Sequence, residues 1–137
     1  MRIMLDRGAK APTRAHETDA GLDLYALQGG CVRARQSMTF RTGVHVELPE
    51  NTFGLIMPKS GLMCARDMYV FGVIDQGYSG EIMAHVMNLG QDDQNIRMGD
   101  KVAQLMIVPV RYEPVEIVDE INGGERGKAG FGSTGAR

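Results

Sequence analysis

Gly72 to Asn88 reads GVIDQGYSGEIMAHVMN: a short apolar run, a glycine-rich turn holding Asp75 and Tyr78, then an alternating segment. In that segment Ile82, Ala84 and Val86 share one face and Met83, His85 and Met87 the other, which predicts a strand buried at least partly on both faces. The turn between two apolar runs predicts a β-hairpin whose tip can enclose a ligand. Outward from it the same grain continues. Arg2 to Leu5, Leu22 to Ala26, Ser37 to Phe40, Val44 to Leu48 and Phe53 to Met57 are short β-type runs parted by glycine, proline or polar turns. Val102 to Val110, apolar apart from Gln104, and Tyr112 to Val118, alternating with acidic residues, predict two further strands. Only Ser60 to Asp67 reads as helical, with Ser60 at the N-cap. The pattern is that of an all-β chain, a β-sandwich with many tight turns and one short helix.

The 137 residues suit one domain, and a 43% hydrophobic, 23% charged composition is that of a globular protein rather than a disordered one. A formal charge of −2 offers no basic field for a nucleic acid polymer, so an anionic ligand needs local cations. The first residues lack a signal-like apolar stretch, and nothing approaches the roughly 20 apolar residues of a membrane span; the expectation is a cytoplasmic protein without a membrane partner. Cys31 and Cys64 show no metal-ligand spacing and are expected to be reduced packing residues, and His16, His45 and His85 form no ligand pair.

Chemistry concentrates in a few clusters. Residues 123–137, GGERGKAGFGSTGAR, hold six glycines and almost no core-forming side chains, and read as a flexible C-terminal arm following a β domain at 1–122. Arg126, Lys128, Ser133 and Thr134 suit phosphate, Phe131 suits a base, and glycines such as Gly130 and Gly132 let backbone N–H groups approach phosphate oxygens; a plain polar tail is the alternative. Lys59, Ser60 and Gly61 open the predicted helix, where an anion is favoured, although Ser60 there also serves as a simple cap. Asp75 is a candidate general base and equally a good turn former. Asp23 interrupts an apolar strand and is either exposed on an edge or held in a site.

In this order the clusters resemble the five motifs of the trimeric dUTP pyrophosphatase (dUTPase) family over nearly the whole chain. AGLDLYA (Ala20 to Ala26) resembles the first motif, PKSGL (from Pro58) the second, GVIDQGYSGE (Gly72 to Glu81) the third, GDKVAQL (Gly99 to Leu105) the fourth and RGKAGFGSTG (Arg126 to Gly135) the fifth. The resemblance implies a jelly-roll-like, β-clip protomer, a homotrimer with sites built from more than one subunit, and an arm crossing to close a neighbour's site. The implied reaction is hydrolysis of dUTP to dUMP and pyrophosphate with Mg²⁺, which limits uracil in DNA and supplies dUMP for dTMP synthesis.

Residue by residue, Asp75 resembles the acid that activates water for attack on the α-phosphorus, and Tyr78 the ring beneath the deoxyribose that excludes a 2′-hydroxyl. Backbone groups of the Gly72 to Met83 segment, with Gly72, Val73, Ile74, Ile82 and Met83 named as contacts, are implied to pair with uracil while a tight pocket rejects thymine's methyl. Lys59, Ser60 and Gly61 would hold phosphates and Gln104 would bond near the α-phosphate. Phe131 would stack on uracil, with Arg126, Lys128, Gly130, Gly132, Ser133 and Thr134 around the terminal phosphates. Asp23 would support the metal through water, the Mg²⁺ being carried chiefly by the triphosphate. Lys59 stands where arginine is frequent, turning a forked contact into a point charge, and Ala129 replaces a frequent glycine.

Two other readings compete. A dCTP deaminase of the same fold needs an acid/base group at the pyrimidine's C4, for which only Glu81 stands near. A nucleotide-gated regulatory protein would use the same trimer and arm to switch affinity for a protein partner.

Overall fold

The computed structural model describes residues 1–124 and 127. Among these, the strands are β1 (Arg2–Leu5), β2 (Leu22–Tyr25), β3 (Gly30–Val32), β4 (Ser37–Arg41), β5 (Val44–Glu47), β6 (Thr52–Met57), β7 (Met68–Val70), β8 (Gly72–Ile74), β9 (Met83–Asn88), β10 (Gln94–Ile96) and β11 (Lys101–Pro109), and the helix is α1 (Ser60–Arg66). A four-stranded sheet runs β2-β11-β6-β8 and a three-stranded one β4-β9-β7, with two-stranded ribbons β1-β5 and β10-β3. One core cluster draws on both larger sheets, with Leu24, Ile56 and Leu105 from the first and Phe40, Val70 and Val86 from the second. No helix among the described residues is long and apolar enough to cross a membrane.

β2 is an edge strand, yet all four of its residues are buried. The segment before it covers the edge: the Asp23 N–H donates to the Thr13 carbonyl at 2.7 Å and the Thr13 N–H returns the bond at 3.4 Å. Unpaired edges invite further pairing, and this cover closes one. In β11 a register shift between Lys101 and Ala103 marks a bulge, and both Val102 and Ala103 face inward as a result.

Several expectations are corrected. The Gly72 to Glu81 turn does not close a hairpin, because β8 pairs with β6 while β9 pairs with β4 and β7. Residues 75–82 are therefore an arch passing between two sheets. The alternation of β9 is right, but Met83 and His85 face outward and are exposed in the protomer. Tyr112 to Val118 forms no strand and is exposed throughout, since no described segment pairs with it. Ser60 does not cap α1; the flanking residue is Lys59, extended at φ −78° and ψ 141°, without a side-chain cap bond. Cys31 and Cys64 are exposed rather than packed. The three-residue strands β3, β7 and β10 are too short to carry a readable period.

Gly54 in β6 is where the sheet meets its filling, for a Cβ there would lie 2.8 Å from Leu105 Cδ1 and 3.0 Å from Ile74 Cβ. Gly54→Ala is expected to destabilise the fold by about 1–3 kcal/mol through overpacking. Urea unfolding should show a lower midpoint at unchanged slope.

Candidate active site

Strand pairing gathers residues of four sequence clusters onto neighbouring rows of one sheet. Asp23 lies opposite Gln104 and Gln104 opposite Met57, while in the next row Leu22, Leu105, Ile56 and Gly72 follow one another. Pro58 and Lys59 leave the end of β6 beside this row.

Asp23 is the buried anion of the region, its side chain only 4% exposed. Lys59 Nζ donates to Oδ1, and Lys101 Nζ stands 2.6 Å from Oδ2. Burial pushes the Asp23 carboxyl upward, but hydrogen bonds and charge from Lys101 and Lys59 outweigh it and hold it below the ordinary carboxylate range. The same pairing raises Lys101 above the usual lysine value. Asp23 is thus held in a site although it stands on an edge strand. Gln104 donates through Nε2 to the Pro58 carbonyl at 2.9 Å, tying β11 to the loop that carries Lys59. Its side chain fills the space beside Gly21, where any Cβ would collide with it.

A separate cleft of about 260 Å³ opens beside β8, lined by Ile56, Gly72, Val73, Ile74, Asp75, Tyr78, Glu81 and Met83. Tyr78 turns back over Gly80, whose missing side chain leaves room for the ring, and its hydroxyl donates to the Glu81 carbonyl at 3.0 Å. The arch tip is tied to the β5–β6 turn by the Asn51 N–H, which donates to Gln76 Oε1 at 2.9 Å. Asp75 is exposed at the mouth of the cleft. β8 is the outer strand of its sheet, so one row of its backbone N–H and C=O groups has no strand partner among the described residues.

The cleft gathers Gly72, Val73, Ile74, Asp75, Tyr78 and Met83 from the sequence-based set. Ile82 does not join them: it is fully buried, its N–H donates to the Val44 carbonyl at 2.8 Å and its carbonyl accepts from Thr42 Oγ1 at 2.6 Å. Ser60 and Gly61 sit exposed in the first turn of α1. Arg126, Lys128, Gly130, Phe131, Gly132, Ser133 and Thr134 lie outside the described residues. Although Ile56 and Gly72 bring the edge of the cleft next to the Gln104 row, Asp75 and Gln104 stand far apart within one protomer. Ile74 faces Gly54, so Asp75 is level with Phe53, four residues from the Gln104 row and two strands away; at about 3.3 Å per residue and 4.8 Å per strand this is roughly 16 Å.

No cluster of three or more His, Cys, Asp or Glu side chains fit to hold a metal exists among the described residues. Asp23, with two ammonium groups on its carboxylate, is not a direct ligand in this arrangement. A carboxylate that already holds two ammonium groups fits a divalent ion brought by a polyphosphate and touched through water.

A family model described as dUTPase matches residues 7–135. The chain belongs to the dUTPase family. The deoxyuridine 5′-triphosphate nucleotidohydrolase of Clostridium kluyveri is 40% identical over 134 residues, covering 96% of this chain and 94% of that one. Its counterpart in Clostridium acetobutylicum is 39% identical over 136 residues, covering 97% and 94%. Among solved structures, the Staphylococcus bacteriophage 80alpha dUTPase with dUpNHpp superposes with a TM-score of 0.91 at 27% identity, covering 98% of this chain and 97% of that one. A mutant dUTPase from phage phi11 of S. aureus, described for its coordination of a structural Mg(II) ion, gives 0.79 at 26% identity, covering 87% and 96%.

Sequence reasoning assigned nothing to Lys101, Gly21 or Gly80, and considered Glu81 only as the acid of the competing deaminase reading. Lys101 lies inside the fourth motif and was legible as a cation there; Gly21 and Gly80 carry no signal until Gln104 and Tyr78 are seen lying on them.

Asp23→Asn is expected to cost about 1–3 kcal/mol at neutral pH, below the full figure for a broken buried pair because both lysines can reach water. The native carboxyl is lowered, so its contribution is present above the unfolded pKa of about 3.9 and is lost as pH falls through the native value. Denaturation from pH 7 to 2 should show the gap between wild type and variant closing only below about pH 4.

Proposed function

We propose that the chain hydrolyses dUTP to dUMP and pyrophosphate as a homotrimer, with Asp75 as general base. The observation that carries this reading is the cleft at β8, where an acid, a tyrosine ring and a strand edge without a partner among the described residues meet. A strand edge presents N–H and C=O groups in fixed alternation, the pattern a uracil ring needs to be read as in a base pair. Tyr78, its ring folded over Gly80, would give the deoxyribose a flat floor and exclude a 2′-hydroxyl. The apolar side chains that line the cleft would reject thymine by its methyl, and the strand edge would reject cytosine by its reversed donors.

In the reaction, Asp75 takes a proton from water as the water oxygen bonds to the α-phosphorus. The bond from the α-phosphorus to the bridging oxygen breaks, and pyrophosphate leaves. Mg²⁺ bound to the triphosphate supplies charge neutralisation and a fixed pose. Lys59, Ser60, Gly61 and Gln104 face the phosphates, and Asp23 sets the position of Lys59 while supporting the ion through water. The arm at 123–137 closes the site, with Phe131 on uracil and Arg126, Lys128, Gly130, Gly132, Ser133 and Thr134 around the outer phosphates.

The trimer rests on two observations. Asp75 and Gln104 are too far apart in one protomer to act on one α-phosphate, so a complete site needs the arch of one copy and the Gln104 row of another. Apolar surface also lies bare: Val115 is 92% exposed and Ile117 96% exposed in a segment with no strand partner among the described residues. Exposure of this kind marks an interface.

Asp75→Asn should retain nucleotide binding and lose activity by about 10²–10⁴-fold, read as dUMP release by chromatography. dTTP, dCTP and UTP should remain intact beside dUTP; ammonia from dCTP would sink the reading. Gln104→Ala is expected to be similarly impaired, yet co-refolding it with Asp75→Asn should restore roughly a quarter of wild-type activity, since mixed trimers combine intact halves. Absence of any recovery would mean that each site is made by one chain.

A further inference from the structure

The arch that carries Asp75 and Tyr78 is held by four charged or titratable side chains, of which Asp6, Arg41 and His45 lie outside the five motifs and Glu81 closes the third. Arg41 links them: its Nε donates to Glu81 Oε2 at 2.9 Å and its Nη2 to Asp6 Oδ2 at 2.6 Å. Glu81 Oε1 accepts the Gly43 N–H at 2.7 Å, and the Glu81 carbonyl holds the Tyr78 hydroxyl. The last member is His45 on β5. Its Nδ1 lies 3.0 Å from the Ser79 carbonyl, inside the arch, and its Nε2 lies 3.3 Å from Asp6 Oδ1.

A carbonyl and a carboxylate can only accept, so both ring nitrogens are best satisfied when both carry protons. His45 is only 18% exposed, which limits water as a substitute partner. Around it stand Asp6 after β1, Arg41 at the end of β4 and Glu81 in the arch; on its outer side Arg2 and Glu47, paired with each other, border the same groove.

We propose that His45 is a positioning residue for the nucleoside cleft: as an imidazolium it ties the Ser79 carbonyl to Asp6 and so fixes the arch bearing Asp75 and Tyr78. This rests on the reading of that cleft as the nucleoside site. The Ser79 carbonyl raises the His45 pKa above its ordinary value; partial burial opposes this, and the hydrogen bond and charge of Asp6, with the charge of Glu81, add to it. For a raised histidine the tie is complete below the unfolded value of about 6.5 and is lost as pH rises through the native one. Neutral His45 has one proton for two acceptors, and the arch loosens.

The test compares wild type, His45→Val and Asp6→Asn between pH 6 and 9. One readout is calorimetric affinity for a non-hydrolysable α,β-imido analogue of dUTP. The other is hydrogen exchange, without nucleotide, at the Tyr78 N–H, which donates to the Asp75 carbonyl at 3.0 Å inside the arch. Wild-type affinity is expected to fall about fivefold as His45 loses its proton, the scale of one charge-assisted hydrogen bond. Protection of Tyr78 should fall in parallel. His45→Val should show the weaker affinity at every pH, with KM changed more than kcat. Asp6→Asn, which keeps the ring in place, should move the midpoint to lower pH.

Wild-type affinity and Tyr78 protection in His45→Val at pH 6.5, or a midpoint unmoved by Asp6→Asn, would overturn the proposal. Should wild type bind no nucleotide at any pH, the nucleotide reading fails, and the Tyr78 exchange still decides whether His45 holds the arch.

Discussion

Six register pairs tie β6 to β11, from Met57 opposite Gln104 to Thr52 opposite Pro109, and three more tie its other edge to β8. This doubly paired strand is the ruler on which the site is laid out. Its ladder sets Asp23, Gln104 and the Pro58–Lys59 exit side by side and fixes β8 as an outer strand with an open edge. Because the period of a strand is two residues, a slip of one place would turn Gln104 and Met57 to the opposite faces and separate the row. The close contact of Gly54 with Leu105 and Ile74 makes such a slip costly.

On this frame two kinds of polar device are built. At the Asp23 end a carboxylate is desolvated by the Thr13 cover and balanced by two lysines, so charge is stored beside a place where phosphate charge is expected. The second lies under the arch, where Arg41 joins the carboxylates of Glu81 and Asp6, and His45 reaches the Ser79 carbonyl of a loop that has no strand partner among the described residues.

The separation of Asp75 from Gln104 follows from the same ladder. β8 leads the chain away from the Gln104 row, because it runs antiparallel to β6, so Asp75 is carried toward the far end of the sheet. The bare residues of Tyr112 to Val118 tell a similar story. Their alternation is strand-like, and a strand needs a neighbour to satisfy its backbone; the protomer offers none among the described residues.

Local pattern was enough to give the strands around Leu24, Phe40, Ile56, Val86 and Leu105, the short helix at Ser60, and the identity of Asp75, Tyr78, Lys59 and Gln104 as polar groups in unusual places. These are signals of period and of residue type, and both are carried by neighbours in the chain. What the chain order could not express is pairing across distance. That β8 and β9 part into different sheets, that Ile82 is spent in the core, that Lys59 and Lys101 share Asp23, and that Arg41 and His45 reach an arch some 40 residues away in sequence all depend on contacts between segments. Such contacts are chosen by packing of the whole core and by the cost of leaving a buried charge or backbone group unpaired, and no single stretch of residues records that choice.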